Sequence, residues 1–213
     1  MNFKLLVLGL VLFGCASRVS ADTIIFSDLP TPASKGGIFN YVLGADGYGQ
    51  DFVDGAAFTP SSSALLTSAE ALLGTDGFCC ALNLYIESSQ MGEPGAVLAD
   101  LTQTSTSRVS PLYVLASYSC SLCPMLSADN TYWLVGTTAE LYPGQEWGAS
   151  PDPPGTLAYN TSGSATGPWN IATDTYLPEF SVSGTVVPES ASVSLIVGGV
   201  LLLGLKLRHT RRT

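Results

Sequence analysis

A chain of 213 residues with 12% charged side chains, one histidine and a formal net charge of −9 has room for a single domain of ordinary size. Its acidity argues against nucleic-acid binding, because an anionic surface repels phosphate backbones. The lone His209 lies in the basic carboxy-terminal cluster, which removes Ser-His-Asp and Cys-His catalysis and histidine-based metal sites from everything upstream.

Residues 1–21 read as a signal peptide. Lys4 precedes the apolar run 5–13, too short to span a bilayer but suited to a secretory core. Val19-Ser20-Ala21 then offers compact side chains to signal peptidase, placing the mature start at Asp22. A rival reading lipidates Cys15 in Leu12-Phe13-Gly14-Cys15, but Phe13 is bulky where that motif wants a small residue, so cleavage after Ala21 is preferred.

Between Asp22 and Val187 only Lys35 and Arg108 are basic, against sixteen acidic residues, a net −14. Solubility outside the cell explains this charge more economically than calcium binding does. The composition of residues 22–185, rich in Ser, Thr, Gly and Ala with short alternating runs between turn residues, predicts one all-β domain. Strands are predicted at 23–27, 38–43, 51–59, 65–72, 80–87, 97–101, 111–118, 131–137, 156–159 and 179–184. In Leu82-Asn83-Leu84-Tyr85-Ile86 the apolar residues share one face at period two. Gly92-Glu93-Pro94-Gly95 is a turn. Ser68-Ala69-Glu70-Ala71-Leu72-Leu73 has helical propensity and is the ambiguous stretch. About ten strands at this spacing imply a two-sheet β-sandwich or jelly roll.

Residues 186–213 form a separate sorting segment. Val187-Pro188-Glu189-Ser190 precedes the apolar run 193–205, and Lys206, Arg208, Arg211 and Arg212 follow it. The positive-inside bias holds such a cluster in the cytoplasm. The run has 13 residues, against roughly 20 for a straight span, so it forms a short, marginal membrane helix. Motif, short helix and basic stop together resemble the PEP-CTERM sorting domain of Gram-negative bacteria that make exopolysaccharide. The resemblance covers 26 residues from Pro188, with Ser190 standing where the family has a second proline. It implies recognition by exosortase, a membrane cysteine transpeptidase. A second resemblance rests on Gln50-Asp51-Phe52, Leu82 to Ile86, Gly95 to Leu101, Leu126 to Leu134 and Trp147, which together look like a choice-of-anchor domain. It implies a β-sandwich for surface display and no activity.

The four cysteines after the leader, Cys79, Cys80, Cys120 and Cys123, predict two disulfides in an exported chain. A Cys79–Cys80 bond needs a strained ring, so links between the Cys79/Cys80 and Cys120/Cys123 pairs are favoured over a four-thiolate zinc site or a redox Cys-Ser-Leu-Cys. Carboxylate pairs for glycoside hydrolysis are Asp51 with Asp54 and Glu140 with Glu146, and neither has a distinctive spacing. Trp133 reads as core. Trp147 and Trp169, in loop-like Pro/Gly contexts, are the candidate glycan contacts, with core capping as the preferred alternative. Tyr132, Tyr159 and Tyr176 complete the aromatic set. The expectation is an exported, non-enzymatic protein of the outer envelope or matrix, without metal or cofactor, structural or adhesive in an exopolysaccharide matrix. A carbohydrate-binding module is the alternative, and a glycoside hydrolase a more distant one. The expected partners are signal peptidase, an exosortase-like enzyme, exopolysaccharide and, before processing, the membrane.

Overall fold

The computed structural model describes residues 22–30, 39–45, 51–74, 82–138 and 145–187. The expected signal peptide and apolar tail helix lie outside them. All regular structure described is β: β1 (Asp22–Ser27), β2 (Phe39–Ala45), β3 (Asp51–Phe58), β4 (Ala64–Gly74), β5 (Asn83–Gln90), β6 (Glu93–Arg108), β7 (Tyr113–Ser119), β8 (Met125–Leu126), β9 (Tyr132–Thr137), β10 (Gln145–Asn160), β11 (Asn170–Pro178) and β12 (Phe180–Val186).

The fold is all-β, as expected, but it is not a two-sheet sandwich or jelly roll. The antiparallel pairings run β4–β7–β6–β5–β9–β3–β2–β10 and return to β4 through the β11–β12 ribbon. With that ribbon counted as one strand interrupted at Glu179, nine strands close a β-barrel. The cause lies in β10, which changes partner along its length. Gln145 to Ala149 pair with β2, Leu157 to Asn160 pair with β3, and Trp147 stands opposite Leu73 of β4. Its register with β11 breaks between Ser150 and Gly155. Pro151, Pro153 and Pro154 fall there and have no N–H to give a ladder. The chain bends at this corner, and closure removes sheet edges that a sandwich would leave open. β1 flanks β12, and β8 adds a short pairing to β4.

The ambiguous stretch Ser68 to Leu73 is strand, within β4. Ala69 stands between Tyr118 and Val182, and Ala71 between Ala116 and Phe180, so burial from both flanks overrides helical propensity. Inside the barrel, Phe180 lies 5.0 Å from Phe26, 5.8 Å from Phe58 and 6.3 Å from Trp147 between ring centroids. Gly136 makes room for that indole: a Cβ there would stand 2.7 Å from Trp147 Cζ3. A smaller cluster lies on the outer face, where Val53, Trp133, Val135 and Ala158 pack with Tyr85, Ala165 and Trp169.

The pairings give the barrel two poles. β2, β4 and β9 end, and β3, β5 and β10 begin, at one pole, as the pairs Ala45–Asp51, Asn83–Thr137 and Gln145–Leu43 require. The start of β1, the end of β12, the start of β4 and the turn from β7 to β8 lie at the other.

Candidate functional site

The first and last of the described strands meet at this second pole. Asp22 pairs with Thr185, and Thr185 Oγ1 donates to Asp22 Oδ1 at 3.2 Å. Beyond β12, the Val187 N–H donates to the Ser63 carbonyl at 3.0 Å while its side chain is exposed. Pro188 and Glu189, the rest of the expected sorting motif, lie outside the described residues.

The cysteines depart from expectation. Cys120 bonds to Cys123, with a Cα separation of 5.3 Å, in place of links from this pair to Cys79 and Cys80. After Ser119 ends β7 the chain turns back towards β8, and this tight reversal brings the two α-carbons within ordinary disulfide range. Cys79 and Cys80 lie outside the described residues.

The two candidate glycan contacts separate. Trp147 is a correction: it is fully buried inside the barrel, and its Nε1–H donates to the Glu179 main-chain oxygen at 3.2 Å, so it offers no ring face to a sugar. Its Pro143-Gly144 context suggested a loop, but the residue sits in the half of β10 that closes the ring. Trp169 is half-buried at the edge of the outer cluster, and its Nε1 has no hydrogen-bond partner. The segment beneath it is organised by Asn160, whose Nδ2 donates to the Ser164 carbonyl at 2.9 Å and whose Oδ1 accepts from Ser162 N–H at 3.0 Å. Trp133 is buried, as expected, with its indole N–H donating to Ser89 Oγ at 3.2 Å.

Asp51 and Asp54 do not form a catalytic pair. They stand three positions apart on β3, and Asp54 points inward with Ala56 and Phe58 while Asp51 points outward beside Gly163. Glu140 lies outside the described residues, so its pairing with Glu146 does too. Three other acids escaped the sequence reading of chemistry, Asp28, Glu87 and Glu179, and like Asp54 they are buried. Desolvation lifts the Asp28 carboxyl to about 8, with the neighbouring Glu179 adding to the shift and a hydrogen bond from Phe180 N–H at 2.6 Å opposing it. Burial alone lifts Asp54 and Glu87 to about 7. Neither Glu87 oxygen has a hydrogen-bond partner. No spacing in the chain marks these positions.

Asp28 and Glu179 lie where the ring closes. Asp28 N–H donates to the Phe180 carbonyl at 3.1 Å, Glu179 N–H to the Gly148 carbonyl at 2.7 Å, and Leu72 N–H to the Glu179 carbonyl at 3.0 Å. The residue just after β1 and strands β4, β10 and β12 are therefore tied through two consecutive residues, Glu179 and Phe180. Among the described residues there is no group of three or more potential metal ligands. No family model, curated protein or solved structure matches the chain.

Proposed function

We propose that the chain is an exported, envelope-anchored, non-catalytic protein whose β-barrel is displayed in an exopolysaccharide matrix as a structural or adhesive component. Signal peptidase cuts after Ala21, and an exosortase-like transpeptidase acts at Val187-Pro188-Glu189 while the apolar run 193–205 holds the tail in the membrane. The supporting observation is the pairing of Asp22 with Thr185. Asp22 and Val187, the described residues next to the two proposed cuts, lie at one pole, and this supports processing at both ends without unfolding of the barrel. The division of Asp51 from Asp54 onto opposite faces further favours a non-catalytic role.

Cell fractionation with and without residues 188–213, with mass spectrometry of the mature ends, tests this reading. We expect an amino terminus at Asp22 and a surface fraction that disappears on truncation. Full-length, uncut chain in the cytosol overturns it. A carbohydrate-binding reading has one observation in its favour, the partly exposed Trp169 indole, although its N–H is itself buried. Polysaccharide retention that survives Trp169→Ala removes that reading.

A further inference from the structure

Exposed apolar side chains gather at the pole where the chain leaves β12. Leu65 and Met125 are direct cross-strand partners, 42% and 50% exposed. Leu122, in the disulfide-closed turn leading to β8, is 86% exposed. Ile24, opposite Ser183, is 59% exposed, and Val187 is 41% exposed. All five border the β1–β12–β4–β8 end of the barrel. Apolar residues scattered singly over a surface need no explanation, but a cluster at one end marks a contact.

The occupant follows from where the chain goes next. Only five residues, 188–192, separate Val187 from the apolar run 193–205. At full extension they reach about 17 Å. This pole therefore cannot stand far from a bilayer that holds the run. Among the described residues this pole carries acidic side chains, Asp22 at the start of β1 and Asp129 in the turn after β8. That charge favours a zwitterionic lipid surface over an anionic one.

Resting on the membrane-held tail proposed above, we infer that this pole docks on the lipid surface, with Leu122, Met125 and Leu65 entering the interfacial zone. The barrel then stands upright, its opposite pole facing away from the cell. Apolar side chains at a headgroup boundary bind by burying their area there, as interfacial anchors do.

The test uses full-length chain reconstituted into phosphatidylcholine vesicles, with and without bromine on the acyl chains, and reads tryptophan emission. Leu122→Trp introduces the reporter at the pole, Leu112→Trp places one in the turn between β6 and β7 at the opposite pole, and the unsubstituted chain supplies the background. We expect the Leu122→Trp emission to shift to the blue and to fall at least twofold with brominated lipid, and the Leu112→Trp emission to do neither. Vesicle-bound chain in which both reporters are quenched equally, or neither is, overturns docking while leaving the membrane tail intact. A blue shift without bromine quenching means that a second protein copy covers the pole, and overturns it as well. Chain that fails to associate with vesicles overturns the tail reading and this inference together.

Discussion

Asp28 links the barrel's closure to solution pH. Its folded pKa of about 8 stands above the ordinary value of 3.8, so the folded chain holds a proton that the unfolded chain has released. Stability on this account is complete below about pH 4 and declines as pH rises towards 8, at up to about 1.4 kcal/mol per unit. Asp54 and Glu87 contribute in the same sense and finish near 7, so of these three acids Asp28 is the one still titrating between pH 7 and 8. Asparagine at position 28 still accepts the Phe180 N–H and has no charge to bury. We expect Asp28→Asn to flatten the fall in melting temperature between pH 7 and 8.5, and an unchanged slope refutes the assignment. At Gly136 the expectation is steric. Alanine drives a methyl group into Trp147, and destabilisation of about 1–3 kcal/mol, measured by denaturant unfolding, is the outcome for an overpacked core.

At the scale of elements, the disulfide has a modest weight. Closing the turn from Cys120 to Cys123 restrains only a few residues of the unfolded chain, against about 40 for the links expected from the sequence. Replacing both cysteines by serine should therefore cost about 2 kcal/mol or less in the chain-entropy picture. Peptide mapping of the non-reduced protein should return a single peptide bridged internally at these positions. β5 was legible in the sequence because Leu84 and Ile86 alternate onto its core face, and β9 because its β-formers run consecutively, with Tyr132 and Leu134 in the barrel core and Trp133 and Val135 in the outer cluster. β11 was not: Asn170 to Tyr176 are mostly exposed and carry little alternation. The first half of β10 was missed for the opposite reason, as its proline-rich corner resembles a loop while its neighbours bury Trp147. Ring closure was illegible altogether, since it depends on which strands the two halves of β10 choose. The buried acids were invisible too, because burial of a polar residue is decided by partners distant in sequence.

For the molecule as a whole, β1 is a clamp although it flanks the ring. It covers one side of β12, places Phe26 in the aromatic cluster and brings Asp28 to Phe180. A chain beginning at Leu29 should lose cooperative unfolding, whereas one ending at Val187, which keeps all the described strands, should melt as the full-length chain does. Circular dichroism melts separate the two, and equal behaviour of the truncations refutes the clamp.

The place of β12 in the chain has a consequence for biogenesis. It is the last of the described strands, yet it supplies one partner of β4 and the bed for β1, so until it arrives both lack that neighbour. On the export route proposed above, a polypeptide threaded outward from its amino terminus would wait, incomplete, until Val186 had crossed. The final zippering would then fall close to the translocation channel, with most of the earlier described strands already outside.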